Sequence, residues 1–119
     1  MTEQTPTLED PKVVKGTKPR YEIFVGATDV PVGKTYAVDH VSTAGVRQRI
    51  FPHTEVDEAY GGHGLASKLV RGAVDASIAE GYRIVAVCPY VKGWLAKHPE
   101  YAEHVDATAP EHLTALDAR

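Results

Sequence analysis

The stretch Phe51-Pro52-His53-Thr54-Glu55-Val56-Asp57-Glu58-Ala59-Tyr60-Gly61-Gly62-His63-Gly64-Leu65-Ala66-Ser67-Lys68-Leu69-Val70 decides the fold. It reads as the end of a strand, a glycine-rich turn and the opening of an amphipathic helix. A junction of that kind aims several backbone N–H groups at one point, and the helix dipole adds partial positive charge there. The expected occupant of that point is a phosphate.

Downstream, Leu65, Leu69, Ala73 and Ala76 recur at helical spacing, as do Val70, Val74 and Ile78. They give a broad apolar face to a helix from about Gly64 to Glu80. Ser67, Lys68, Arg71 and Asp75 fall on its polar side, and Gly81 suits the position that ends it. Arg83 to Cys88 is nearly all apolar, as a strand covered on both faces should be. The strand–helix–strand order then calls for a parallel pair with a right-handed crossover. Pro89 stops the second strand, and Tyr90 to His98 reads as a short helix ending before Pro99.

Upstream, Tyr21 to Val25 is the first expected strand, rich in aromatic and β-branched residues. Turn residues Asp29, Pro31 and Gly33 precede a second strand over Lys34 to His40. After Ser42-Thr43-Ala44-Gly45 comes a third, Val46 to Val56. Short connections make these an antiparallel meander. Pro52 cannot donate to a ladder, so a bulge or an unpaired position is expected there. The fold class is therefore α+β with a mixed sheet, a meander followed by β-α-β-α. The expected organisation is a flexible arm over 1–19, one domain over 20–105, and a tail over 106–119 with a short helix from Pro110.

Composition narrows the function. The chain has 119 residues, enough for one domain with one core. A formal net charge of −3 supplies no basic excess for general nucleic-acid binding, so no nucleic-acid partner is expected. A polyanion must be held by local geometry rather than by an overall field. No apolar run approaches the ~18 residues of a membrane span, so no membrane partner is expected. The lone Cys88 excludes an intramolecular disulfide, and no signal-like segment lies in Met1 to Arg20. These together suggest a cytoplasmic protein, a monomer or weak homodimer. Six histidines occur without an H-x-x-x-H or Cys/His cluster, so no metal is expected.

Two common phosphate motifs fail. Lys68 follows Ser67 rather than a glycine, which excludes a Walker loop. Gly62-His63-Gly64 opens a dinucleotide pattern, but Ser67 stands at its third glycine and Cys88-Pro89 replaces the acidic strand end. A third pattern fits better. Val56 to Ala66 resembles the acyl-CoA signature R/Q-x-x-G-x-G/A of the GCN5-related N-acetyltransferase (GNAT) superfamily, with Gly64 central and Ala66 the final small residue. Gly61 stands where Arg or Gln is usual. His53-Thr54-Glu55-Val56, the glycine turn, Cys88-Pro89-Tyr90-Val91 and His98-Pro99-Glu100-Tyr101 together resemble the compact "small GNAT" family of acetyltransferase-like proteins, from about Tyr21 to Tyr101.

The resemblance implies a V-shaped cleft holding acetyl-CoA as acyl donor and an unidentified amine or other small-molecule acceptor. It implies that Thr54 and Val56 pair with the pantetheine arm and polarise the thioester carbonyl. The N–H groups of Gly61, Gly62, His63, Gly64, Leu65 and Ala66 would cradle the pyrophosphate. By helical position alone, Ser67, Lys68 and Arg71 add hydroxyl or charge on that side. Candidate catalytic residues are Glu55 and His53, two apart on one strand face, and Cys88 at the inner strand's end. Each also has a bland reading: Glu55 as a solvated strand residue, His53 as a structural hydrogen-bonder, Cys88 as a small buried hydrophobe. The family's general-acid tyrosine is replaced by Leu95, so that role is vacant or passes to Tyr90 or Tyr101, while Trp94 reads as core. The family's two helices between the first strands are missing, because Gly26 to Gly33 is too short for them. Three functions follow, in this order: an acetyl-CoA-dependent acyltransferase, a CoA-binding module with little turnover, or a different nucleotide- or phosphate-binding protein sharing only the glycine turn.

Overall fold

The computed structural model describes residues 12–15, 20–24, 31–57 and 64–117. Eight strands and three α-helices are arranged as β1 (Lys12–Lys15), β2 (Arg20–Phe24), β3 (Gly33–Tyr36), β4 (Val38–Val41), β5 (Arg47–Phe51), β6 (Thr54–Val56), α1 (Leu65–Ala79), β7 (Arg83–Ala86), α2 (Pro89–Lys97), β8 (Val105–Asp106) and α3 (Pro110–Asp117). A 3₁₀ segment, Pro99–His104, joins α2 to β8.

The second and third expected strands each divide in two, and this division builds the molecule. β3 and β4 are separated by Ala37, and β5 and β6 by Pro52-His53. The halves belong to different four-stranded sheets, in the orders β1-β2-β3-β6 and β4-β5-β7-β8. The first sheet is antiparallel throughout. In the second, β4 and β5 are antiparallel, and β5 runs parallel to β7 with Phe51 opposite Ala86, as the crossover rule requires. The missing N–H of Pro52 is the local reason for the second break.

Helix α1 covers one face of both sheets. Its Leu65, Leu69, Val70, Ala73 and Val74 are buried against Tyr21, Ile23, Phe51 and Ile84. Residues 12–15, assigned to the arm from sequence, pair with β2. Their anchor is Val13, which packs on the core and sits so close to Gly72 that a Cβ there would come within 2.9 Å. The other face of the second sheet buries Ile50 and Val85, and α3 packs on that sheet at β4. Among the described residues no helix is long and apolar enough to cross a membrane.

Within the α1 layer Arg49 is 1% exposed. It donates to Asp39 (2.6 Å) and to the Tyr21 hydroxyl (2.7 Å), and lies 3.4 Å from Glu80. The Tyr82 ring stacks on its guanidinium at 4.0 Å. A buried cation is tolerated only when paired in this way. Replacing it with an apolar side chain removes one donor each from Asp39, Tyr21 and Ser77. Arg49→Met is expected to lower stability by about 2–3 kcal/mol, discounted because both carboxylates are partly solvated. A urea titration followed by circular dichroism measures it, and an unchanged midpoint would show that the network contributes nothing.

Candidate functional site

The site forms where the sheets part. The Phe51 carbonyl accepts from both Val87 N–H (3.1 Å) and Cys88 N–H (2.8 Å). Among the described residues it is the last backbone link between the diverging chains. Beyond it β6 joins the first sheet as an edge strand, and β7 runs into α2.

The register of β6 fixes what faces the gap. Tyr36 N–H bonds His53 O at 2.8 Å, and Asp57 N–H bonds Val32 O at 2.7 Å. His53, Glu55 and Asp57 therefore direct their backbone groups at β3. By the alternation of antiparallel pairs, Thr54 and Val56 direct theirs away from it, to the open side. A pantetheine arm needs such an edge.

The N-terminus of α1 borders the other end of the gap. Gly64 caps α1 in the left-handed region (φ 71°), without a side-chain cap, and no acidic residue occupies the first turn. The first intrahelical bond here is Lys68 N–H to Gly64 O (3.1 Å), so the N–H groups of Leu65, Ala66 and Ser67 have no partner within the helix. Gly61, Gly62 and His63 lie outside the described residues. The Ser67 hydroxyl accepts from Trp94 Nε1 at 2.8 Å, which ties α1 to α2. Arg71, placed by helical position on the phosphate side, is engaged elsewhere. It donates to Tyr101 (3.1 Å), contacts His98 Nδ1 (3.3 Å) and lies over the Trp94 ring.

Inside the gap, Cys88 is 4% exposed, and its thiol donates to Thr54 Oγ1 at 3.6 Å. Thr54 Oγ1 is 2.8 Å from Thr35 Oγ1, and Thr35 also reaches His53 O at 3.4 Å. This relay spans from the end of β7 across β6 to β3. Thr35 was not among the residues singled out from sequence. It meets Thr54 only through the β3–β6 register, which no local pattern encodes.

Glu55 and His53 occupy the outer face of β6, away from α1. Glu55 Oε2 pairs with His53 Nε2 at 3.1 Å and Oε1 with Lys34 Nζ at 3.3 Å, while His53 stacks on Tyr36. The hydrogen bond from His53, with a second from Lys34, holds the Glu55 carboxyl below its ordinary value. If His53 donates through Nε2, its Nδ1 keeps a lone pair for a proton. A cavity of about 370 Å³ opens beside Lys34, Glu55, Val56 and Asp57.

Of the acid candidates, Leu95 is buried in the core. The Tyr101 hydroxyl donates to Asp75 of α1 at 2.6 Å and is committed to that surface cluster. Tyr90, at the start of α2 and 42% exposed, has its phenol raised by partial burial and by the adjacent Cys88. It holds its proton at neutral pH. Trp94, expected in the core, is buried between Ser67 and the rings of His98 and Tyr101.

One further cluster, His40, Glu111 and His112, brings its ligand-type atoms within 4.8 Å of one another. It is poorly suited to a metal. His112 Nδ1 accepts from Ala109 N–H (2.9 Å), so Nε2 carries the proton and meets Gln48 Oε1 at 2.8 Å. The ring's one lone pair is thus already taken by a backbone N–H, and a ligating imidazole needs that lone pair for the metal.

The chain belongs to the GCN5-related N-acetyltransferase family, whose description matches residues 20–105. Over 55 residues it is 34% identical to Protein NATD1 of Gallus gallus, covering 44% of this chain and 50% of that one. Protein NATD1 of Danio rerio matches at the same identity over the same length. The chain thus spans about half the length of the curated relatives it matches. The fold is also similar to the NMR solution structure of a GCN5-like protein from Staphylococcus aureus. There the TM-score is 0.59 at 20% identity, covering 85% of this chain and 93% of that one.

The Glu55 geometry gives a direct expectation. A carboxylate with a depressed folded-state value contributes stability above its unfolded value, and that contribution is lost as pH falls through the folded one. Carbon-13 NMR titration of Glu55 should place its midpoint below the ordinary carboxylate range, with His53→Gln moving it back up. A midpoint indifferent to that substitution would remove the pair.

Proposed function

We propose that this protein transfers an acyl group, most simply acetyl, from acetyl-CoA to an amine. The observation that carries the reading is the parting of β6 and β7 beyond the Phe51 carbonyl, with the backbone groups of Thr54 and Val56 facing the gap. Family membership supports the chemistry at the level of acyl transfer.

In this reading the α1 N-terminus, from Gly64 to Ser67, takes the pyrophosphate, joined by the glycine turn Gly61-Gly62-His63 and by Lys68. The edge of β6 takes the pantetheine, and its N–H groups stabilise the oxyanion that develops on the thioester. The amine approaches from the outer face, where His53 and Glu55 stand. Glu55 orients His53, and His53 takes the proton as the nitrogen attacks the carbonyl carbon. The C–S bond then breaks, and the departing thiolate takes a proton from Tyr90. Cys88 lies in the gap, bonded to Thr54. It is either a transient acyl acceptor, forming a second thioester before the amine attacks, or part of the apolar wall.

Burial of Leu95 at the family's acid position and the commitment of Tyr101 to Asp75 favour a second reading, a CoA-binding module with little turnover. Calorimetry with acetyl-CoA, CoA and ATP separates the cases. Saturable binding of both CoA species but not ATP is expected, and no binding at about millimolar concentration would overturn both readings. Among the described residues a Cβ at Gly64 meets nothing within 4 Å, so Gly64→Val is expected to act through the left-handed backbone and the ligand. It should weaken CoA binding by about tenfold or more in a folded variant.

With turnover established by CoA release, His53→Gln should lower kcat about 10²-fold, and Glu55→Gln less. Unaltered rates and pH profiles would exclude them as the base. Mass spectrometry after incubation with acetyl-CoA decides the role of Cys88, since a covalent acceptor gains one acetyl group there.

A further inference from the structure

A larger cavity, of about 540 Å³, lies away from the cleft, between α2 and the segment through β8. It belongs to the opposite side of β7, because β8 flanks that strand where β5 does not. Its walls are Ala86, Leu95, Ala96, Ala102 and Val105. Small side chains therefore stand where larger aliphatic ones would close the space. An apolar wall of that size left open to water is unfavourable, and its burial by a ligand is worth roughly 25 cal/mol per Å². Its volume lies within the usual range for small-molecule sites, roughly 300–1,000 Å³.

The polar lining selects the ligand. Thr108 Oγ1 donates to Ala86 O at 3.2 Å, so its proton is used. The Asp106 carboxylate is turned to the other face of the sheet, where Gln48 Nε2 (2.8 Å) and Arg83 Nε (2.7 Å) hold it. That leaves Lys92 as the charged side chain available to the cavity. It stands one turn before Ala96 on α2 and forms no ion pair with the described residues. A pocket with an apolar floor, one ammonium at its wall and no available carboxylate favours an anionic head on an apolar body.

We propose that this cavity binds a small apolar monocarboxylate, with its hydrocarbon against Ala86, Leu95 and Val105 and its carboxylate on Lys92. The site is independent of the donor cleft. Because Cys88 caps α2, its occupancy also bears on the helix that borders the cleft.

The test is nitrogen-15 NMR titration of the full chain with sodium hexanoate, hexylamine and hexan-1-ol, with and without CoA. Hexanoate should give saturable shifts centred on Ala86, Ala96, Ala102 and Thr108, in both conditions, and hexylamine none. Lys92→Gln should weaken hexanoate by about tenfold and leave the alcohol unchanged. Ala96→Phe, at an exposed helix position, should fill the cavity and abolish binding, with Ala102→Leu as a second filling variant. Four results would overturn the proposal: no saturation by about 10 mM, equal shifts with hexylamine, full affinity in Lys92→Gln, or full affinity in both filling variants.

Discussion

The constraint on which the structure depends is a proline that cannot donate. Pro52 ends the pairing of β5 with its neighbours, and the chain re-enters ladder geometry two residues later in a different sheet. Phe51 O, taking two N–H groups at once, is the last backbone acceptor through which the β5 chain bonds the end of β7 among the described residues. An unpaired strand edge beside buried side chains is normally a liability. Here it faces an opening flanked by the N-termini of α1 and α2, whose first N–H groups have no partner within their own helix and suit the same kind of ligand.

Two kinds of interaction keep the divided sheets in register. One is α1, whose apolar face touches both and so acts as a common floor. The other is polar and crosses the layers: Arg49 of the second sheet reaches Tyr21 of the first and the carboxylates of Asp39 and Glu80. Apolar burial contributes the bulk of the driving force, while the directional bonds of the guanidinium specify how far the sheets rotate against each other. The cluster of Arg71, Trp94, His98 and Tyr101 does the same for α1, α2 and the 3₁₀ segment. This gives the His98-Pro99-Glu100-Tyr101 run a structural role rather than one in the gap.

Much of this was readable in the chain. The helix from Gly64, the parallel pair of β5 and β7, the break at Pro52 and the antiparallel upstream strands follow from apolar periodicity, proline placement and short connections. The start of α1 at Gly64 was legible for the same reason, since a helix N-terminus is a local feature. Thr35, Lys34 and Tyr36 were not. Each enters the site only as a cross-strand neighbour of β6, and register is a property of two strands together.

What the sequence by itself determined is therefore the helices, the order of the principal strands and the break at Pro52. These rest on interactions within a few residues. Tertiary structure alone decided which strand edge stays open, that Thr54 and Val56 turn their backbone groups to it, and that Arg71 and Tyr101 are engaged with each other instead of the site. It also decided that Ala86, Ala96, Ala102 and Lys92 come together around a second cavity. The physical reason is that these depend on packing between segments distant in sequence, whose relative placement is set by the whole core at once.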